Sequence, residues 1–332
     1  MAHLASTAFA HSNIAFIKYW GDLDSKIHLP ENGSISMTLG ALSIRMTCEF
    51  DPLFPSDSLI INQVRATNPQ LQRVSNFLDH VRKISGLTHF AHISSQFFFP
   101  PDSGLASSAA SFAALAAAAT KAAGLNLAEK DLSRLARLGS GSAARSIPPG
   151  FVEWSAGSSD VDSFSVSIAP PDYWDLLDSI IIVNRSPKQY PSLEGHRLAH
   201  SSILQKSRVE DAPRRLDICR SAILNRDFSA LAEIAELDSN LLHTVTMTSH
   251  PPIFYWSPIS LLLIKETIKL RKSGFPVFYT LDAGENVHII SPASYAGRVN
   301  YHFESIPGVL EIIQSGPGLG VHFSDIEDMT IS

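Results

Sequence analysis

Two short stretches of glycine, alanine and serine have the composition of anion-binding loops. The first is Ser103-Gly104-Leu105-Ala106-Ser107-Ser108, which opens an alanine-rich helical pattern. Backbone amides in the first turn of a helix lack intrahelical acceptors and carry partial positive charge, so they attract phosphate groups. Ser107 and Ser108 could add hydroxyl groups for phosphate oxygens or for a magnesium ion. No Gly-Lys-Ser/Thr follows, so this is not a Walker A loop, and a capped, buried helix is the alternative explanation.

The second stretch is Gly139-Ser140-Gly141-Ser142-Ala143-Ala144-Arg145-Ser146, whose amides and hydroxyl groups could surround an anion. Arg145 would supply a planar guanidinium fork suited to a carboxylate or a phosphate. A flexible turn with a solvated arginine is the alternative. A carboxylate, Asp282, directly follows a predicted strand and could accept or orient a proton. An Asp-Ala-Gly turn would explain that residue on backbone grounds alone.

A framework of strands and helices must bring these residues together. Apolar, β-branched runs bounded by Gly, Pro and Asp predict strands at 34–39, 43–49, 58–61, 89–99, 164–168, 179–183, 277–281 and 287–290. Apolar residues at helical spacing predict helices at 69–85, 105–123, 131–139, 203–225, 228–244 and 260–272. A strand–helix–strand unit is predicted to close the chain from 298 to 322.

Length and composition restrict the class of protein. The 332 residues are 45% hydrophobic, which favours two domains, and we predict them at 1–184 and 185–332. The net charge of −6 argues against nucleic acid or an anionic membrane as the main partner. Cys48 and Cys219 lie far apart without metal-type spacing, which favours a reducing, cytoplasmic compartment over a disulfide framework or zinc site. We expect no signal peptide, and a packed helix rather than a membrane span at 105–123, where alanine dominates.

Further motifs give the chain a family resemblance. They are Asn13-Ile14-Ala15-Phe16-Ile17-Lys18-Tyr19-Trp20-Gly21, Gly150-Phe151-Val152-Glu153-Trp154, Pro251-Pro252-Ile253-Phe254-Tyr255-Trp256 and Asp282-Ala283-Gly284-Glu285-Asn286. Together with the two loops, they resemble the diphosphomevalonate decarboxylase group of the GHMP kinase superfamily. The resemblance implies an α+β fold of two domains, the first like domain 2 of ribosomal protein S5 and the second ferredoxin-like. It also implies an active site in the cleft between them and a homodimer.

The same resemblance implies a reaction that uses ATP and Mg²⁺. The family phosphorylates the tertiary C3 hydroxyl of its substrate, after which phosphate departs and the C1 carboxylate leaves as carbon dioxide. Asp282 would accept or orient the hydroxyl proton, Lys18 would stabilise nearby negative charge, and Arg145 would hold the substrate carboxylate. Contacts to the substrate phosphate are implied for Tyr19, Arg73, Ser140 and Ser142. The ligands of the metal ion stay open.

ATP contacts are implied for the loop from Ser103 to Ser108 and for Ser192. Ser192 stands in a polar stretch, 184–197, that could close over the nucleotide as a lid. Purely structural alternatives exist for four of the implied roles: a solvated strand-edge side chain for Lys18, core packing for Tyr19, a solvated side chain for Arg73 and a mobile linker around Ser192.

Four residues depart from the family pattern. Relatives commonly continue Lys-Tyr-Trp-Gly with a second lysine, where this chain has Asp22, and some carry an arginine where it has Leu193. Both cations help to hold a diphosphate, and reversing one charge at contact distance costs on the order of several kcal/mol before screening. His196 replaces a common methionine and could donate to phosphate, although a packing substitution is the alternative. Glu285 replaces a proline and, if it faced the site, could raise the pKa of Asp282.

We therefore hypothesise that the substrate is mevalonate 5-phosphate and the product isopentenyl phosphate. The first alternative is a diphosphomevalonate decarboxylase in which Asp22 turns away from the site. A second is a kinase that phosphorylates the C3 hydroxyl of a mevalonate without decarboxylation. A third is a catalytically silent binding or regulatory protein on the same scaffold.

Overall fold

The computed structural model describes residues 4–99, 107–186 and 188–323. The strands are β1 Leu4–Ile17, β2 Asp22–Asp24, β3 Leu29–Pro30, β4 Ser34–Asp51, β5 Ser58–Ile61, β6 Val64–Arg65, β7 Phe90–Phe97, β8 Phe151–Trp154, β9 Ser165–Ala169, β10 Leu176–Ile182, β11 Phe278–Thr280, β12 Val287–Pro292, β13 Glu311–Ser315 and β14 His322–Phe323. The α-helices are α1 Asn68–Ser85, α2 Ser107–Ala122, α3 Glu129–Gly139, α4 Ser192–Leu198, α5 Gln205–Glu210, α6 Ala212–Asn225, α7 Phe228–Met247, α8 Pro258–Lys272 and α9 Ala293–Glu304. Short 3-10 helices span Gly141–Ser146 and Ala199–Ser201.

The larger sheet is built on two long antiparallel strands, β1 and β4. Its order is β14-β1-β4-β7-β5-β6, and β8 and β9 extend from β4. Helix α2 packs on both long strands. The alanines of this helix are buried, and their small side chains allow it to lie close to the sheet.

The smaller sheet has the order β11-β12-β10-β13, with antiparallel pairing throughout. Helices α8 and α9 pack against it. Helix α7 contacts both β1 and β11. It therefore joins the strand that precedes Lys18 to the strand that precedes Asp282.

One buried apolar cluster extends across both sheets. It contains Ile14 and Met37 from the larger sheet and Ile180 and Phe278 from the smaller one. Strand β10 pairs within the smaller sheet although it precedes residue 185. The domain boundary at that residue stays a prediction.

Several predicted elements differ from the observed ones for identifiable reasons. The strands at 34–39 and 43–49 are one continuous strand, β4, which passes through Gly40. Gly40 lies against Gly318, and a Cβ on Gly318 would come within 2.6 Å of the Gly40 Cα. The helix at 203–225 is interrupted at Asp211 and divides into α5 and α6. The unit from 298 to 322 does not begin with a strand, because Arg298 lies inside α9, whose buried residues Ala296, Val299 and Phe303 follow a helical period.

Two further expectations concern the cysteines and membrane insertion. Cys48 and Cys219 are both free and buried. Within the described ranges, the helices are all too short or too polar to span a bilayer.

Candidate active site

The predicted site residues surround a cavity of about 400 Å³. Its walls include most of the residues selected from the sequence, namely Lys18, Tyr19, Arg73, Ser107, Ser108, Ser140, Ser142, Arg145, Ser192, His196 and Asp282. Ser103, Gly104, Leu105 and Ala106 lie outside the described residues. The cavity therefore brings together groups that the chain separates by more than 250 positions.

An ion pair between Lys18 and Asp282 lines the cavity. Lys18 Nζ lies 2.6 Å from Asp282 Oδ1, and the lysine is buried. Burial lowers the pKa of Lys18, against the opposing charge of Asp282. Burial works to raise the pKa of Asp282, but Lys18, His288 and Arg145 outweigh it and hold that pKa below its usual value. Asp282 is therefore an ionised carboxylate that can accept a proton or a hydrogen bond.

The backbone of Lys18 is fixed by a buried polar network. Its N–H donates to Asp238 Oδ2 at 2.6 Å, and its carbonyl accepts from Arg208 Nη2 at 2.7 Å and Asn32 Nδ2 at 2.9 Å. Asp238 Oδ1 also accepts from Arg215 Nε at 2.8 Å. Because Asp238 and Arg215 are fully buried, this network fixes the position of Lys18 rather than binding a ligand.

We expect Asp238→Ala to lower the free energy of unfolding by roughly 3–5 kcal/mol, because it leaves buried arginines without their counter-charge. The matched control is Asp211→Ala, which removes a more exposed partner of Arg215 and should cost about 1 kcal/mol or less. Chemical denaturation of both variants measures the difference. Equal losses would show that the buried carboxylate of Asp238 contributes no more than the partly exposed carboxylate of Asp211.

Arg145 projects into the cavity from the 3-10 helix Gly141–Ser146 and is buried. It donates from Nη1 to Ser34 Oγ at 2.6 Å, and from Nε and Nη2 to Asn13 Oδ1 at 3.3 and 3.2 Å. Burial lowers the pKa of Arg145 to about 10, so it stays a cation at neutral pH. Three of its five N–H groups make these bonds, which leaves two for an anion in the cavity.

A row of serine hydroxyl groups connects the start of α2 to the second small-residue loop. Ser108 Oγ lies 3.3 Å from Ser140 Oγ, which in turn lies 3.4 Å from Ser142 Oγ. Tyr19 packs against the same loop, because a Cβ on Gly141 would lie 2.6 Å from its ring. The loop and the first turn of α2 thus present hydroxyl groups to the same cavity.

The polar stretch 184–197 contains a helix, α4, which the sequence did not predict. Ser192 begins this helix and lines the cavity. Gly195 lies directly on Trp20, where a Cβ would come within 2.5 Å of the indole. The segment is therefore packed over the cavity, in the position expected of a closed lid.

Asp22 is buried behind the cavity wall and is not among the lining residues. The Tyr19 hydroxyl donates to Asp22 Oδ1, and His28 Nδ1 lies 3.7 Å from Oδ2. Burial works to raise the pKa of Asp22, but His28, His196 and Tyr19 together lower it below its usual value. Burial and the neighbouring Asp22 charge raise the pKa of Tyr19, which therefore keeps its proton for this hydrogen bond.

His196 is stacked between the rings of Tyr19 and Trp20, at centroid distances of 4.1 and 4.5 Å. Its Nδ1 accepts from the backbone N–H of Gly21 at 3.2 Å. Burial lowers the pKa of His196 to about 4, so the ring is neutral at neutral pH and carries its hydrogen on Nε2. The residue both packs and offers one neutral donor.

Arg73 extends toward the cavity from α1. This helix begins at a capping box formed by Thr67 and Gln70 and ends at Gly86, which has a φ of 76°. Arg73 Nη2 donates to the Gly139 carbonyl at 2.8 Å, and its guanidinium lies 4.6 Å from the centre of the Phe112 ring. These contacts hold an exposed arginine at the edge of the serine loop.

Three polar lining residues were not assigned from the sequence: Asn13, His28 and Lys188. Asn13 opens a motif used for the resemblance, and Lys188 stands four positions before Ser192, so both had a positional signal. Lys188 Nζ would lie 3.7 Å from a Cβ on Gly284, beside the turn that carries Asp282. His28 had no such signal. It lies in the connection between β2 and β3 and adopts a left-handed φ of 47° there.

Glu285, which could have raised the pKa of Asp282 if it faced the site, does not line the main cavity. Its Oε1 accepts from Asn184 Nδ2 at 2.8 Å, and it lines a second, smaller cavity. The condition under which Glu285 could raise the pKa of Asp282 is therefore not met, and the pKa of Asp282 is lowered by its other neighbours.

The described residues contain no cluster of three or more His, Cys, Asp or Glu side chains that could hold a metal ion. Mg²⁺ seldom needs such a cluster, because it is commonly held by one or two carboxylates, waters and substrate phosphates. Asp282 and the hydroxyl groups of Ser107 and Ser108 suit a magnesium ion that arrives with a nucleotide.

Comparisons with known proteins match the chain over nearly its whole length. Residues 10–165 match the model of the diphosphomevalonate decarboxylase-like N-terminal domain, and residues 179–308 match that of the mevalonate 5-diphosphate decarboxylase C-terminal domain. A diphosphomevalonate decarboxylase of Ganoderma lucidum is 37% identical over 90% of this chain and 81% of its own. A phosphomevalonate decarboxylase of Haloferax volcanii is 32% identical over 89% of this chain and 91% of its own.

A solved structure, described as MDDEF in complex with MVAPP, AMPPCP and magnesium, superposes with a TM-score of 0.92 at 36% identity. The match covers 98% of this chain and 100% of that one. The predicted two-domain α+β fold is thereby confirmed. The chain belongs to the diphosphomevalonate decarboxylase family of the GHMP kinase superfamily.

Proposed function

We propose that the protein is an ATP-dependent decarboxylase whose substrate is mevalonate 5-phosphate. One ATP and one mevalonate 5-phosphate give isopentenyl phosphate, carbon dioxide, ADP and inorganic phosphate. The use of ATP and Mg²⁺ is supported by the related complex with AMPPCP and magnesium. The cytoplasmic location and the homodimer stay predictions.

The lining residues suit the two stages of this reaction. Asp282 accepts the proton of the C3 hydroxyl as that oxygen attacks the γ-phosphorus of ATP, and ADP leaves. Lys18 stays within hydrogen-bond distance of the carboxylate and balances the charge that accumulates there. A magnesium ion bound with the nucleotide would offset the negative charge of the phosphates.

Arg145 serves the second stage. Its two remaining N–H groups hold the C1 carboxylate, so that the C1–C2 bond stays aligned with the C3–O bond that breaks. Phosphate departs with the electrons of the C3–O bond, and the electrons of the C1–C2 bond form the new double bond as carbon dioxide leaves. The packed segment around α4 keeps water away from the intermediate.

The observation that carries the choice of substrate is the position of Asp22. An ionised carboxylate lies directly behind Tyr19 and engages its hydroxyl hydrogen, so that hydroxyl cannot also donate to a phosphate. Leu193, which lines the cavity at the lid, adds no charge. This wall suits one phosphate group better than two.

The alternative substrate is mevalonate 5-diphosphate, favoured by the relatives that are named for it, including the Ganoderma protein, and by the position of Asp22 behind the cavity wall rather than in its lining. A side-by-side assay with the two mevalonate phosphates and ATP decides between them. We expect kcat/KM to be at least tenfold higher for the monophosphate, with carbon dioxide and ADP formed in equal amounts. Equal or better turnover of the diphosphate would exclude the proposal. ADP without carbon dioxide would indicate a kinase instead.

A further inference from the structure

His28 is a lining residue that the proposed reaction does not use. It stands just before β3, in the short hairpin that β2 and β3 form, and its side chain is 16% exposed. Its left-handed backbone conformation, with a φ of 47°, is uncommon for a residue other than glycine. The hairpin therefore holds this side chain at the cavity in a fixed backbone geometry.

The carboxylate of Asp22 lies beside the imidazole ring of His28. One oxygen of the carboxylate accepts from Tyr19, while the other, Oδ2, is buried and has no hydrogen-bond partner among the described residues. His28 Nδ1 lies 3.7 Å from that oxygen, within ion-pair distance for a protonated ring. Since Nδ1 faces Asp22, Nε2 is the nitrogen left for the cavity. A protonated histidine in this position would present one N–H and a positive charge to a ligand.

We infer that His28, paired with Asp22, is a specificity-determining contact that binds the phosphate group of the substrate. The inference rests on the proposed function, and it explains how a wall with a buried carboxylate can still bind an anion. His196 adds a neutral donor, and Ser140 and Ser142 add hydroxyl groups around the same space. When protonated, His28 would carry one positive charge partly balanced by Asp22, which matches one phosphate group rather than a diphosphate.

The test compares His28→Asn with His200→Asn. Asparagine tolerates the left-handed backbone of position 28 but carries no charge. His200 is a matched control, because its Nε2 also approaches Asp22, at 3.1 Å from the backbone oxygen, while the residue lies outside the cavity lining. Steady-state kinetics with mevalonate 5-phosphate and ATP, together with urea unfolding, are measured for both variants.

We expect His28→Asn to raise KM for mevalonate 5-phosphate at least tenfold while kcat and KM for ATP change less than about twofold. His200→Asn should leave all three within about twofold. The inference is overturned if His28→Asn changes KM for mevalonate 5-phosphate no more than the control does. The inference is also overturned if His28→Asn raises KM for ATP and lowers the unfolding midpoint together with its effect on KM for mevalonate 5-phosphate.

A different result would separate this inference from the function on which it rests. If the wild-type protein preferred the diphosphate and His28→Asn still raised KM for that substrate alone, the monophosphate proposal would be overturned. The assignment of His28 as a phosphate contact would then be supported.

Discussion

Asp282→Asn is expected to reduce kcat by about a thousandfold while leaving KM for ATP within about threefold. The expected loss lies in the range for removing a general base, which is about 10²–10⁴. An amide at this position is nearly isosteric, but it cannot accept the C3 hydroxyl proton, and it leaves the buried ammonium group of Lys18 without the carboxylate 2.6 Å away. Single-turnover measurement of ADP formation, alongside release of labelled carbon dioxide, tests the expectation.

Glu285→Gln is the matched control for that experiment. It removes a carboxylate three positions farther along the chain, in the same turn region, but that carboxylate binds Asn184 and lies outside the main cavity. We expect its kcat to stay within about twofold of the wild type. If Asp282→Asn kept more than about a tenth of wild-type kcat, Asp282 would not be the group that accepts the proton.

The pairing of Lys18 with Asp282 illustrates what the sequence could predict. No local pattern joins two residues 264 positions apart, and each has a simple structural explanation when considered alone. The ordered set of motifs predicted that both belong to one site, and the fold brings them together because α7 packs on β1 and β11. The role of each residue in catalysis stays a prediction, whereas their proximity is observed.

The hairpin beside Tyr19 illustrates what the sequence could not predict. A charge substitution at position 22 was visible, but the partner of that charge depends on the path of the chain after Gly21, which has a φ of 92°. His28 lines the cavity and has a left-handed backbone, and no periodic pattern indicates either feature. Helix α4 was missed for a related reason, since a helix of seven residues depends on packing, here of Gly195 on Trp20, rather than on propensity.

Asp22→Lys is expected to change the ratio of kcat/KM for the diphosphate to that for the monophosphate by about a hundredfold, in favour of the diphosphate. Each unit of charge is worth about 4 kcal/mol at 4 Å and an effective dielectric constant near 20, and this substitution changes the charge by two units. Asp22 lies behind Tyr19 and next to His28, so greater distance and the nearby imidazole reduce the effect. The substitution also frees the Tyr19 hydroxyl to donate to a phosphate.

Asp24→Lys is the control, because it makes the same change of charge two positions along the same hairpin, where the side chain is exposed. Screening by solvent should keep its substrate ratio within about threefold of the wild type. A third variant, Asp22→Asn, separates the two physical causes. It removes the negative charge without adding a cation, while its amide oxygen can still accept from the Tyr19 hydroxyl, so an intermediate ratio is expected. If the ratio changed equally for Asp22→Lys and Asp24→Lys, the buried carboxylate would not determine which mevalonate phosphate the cavity accepts.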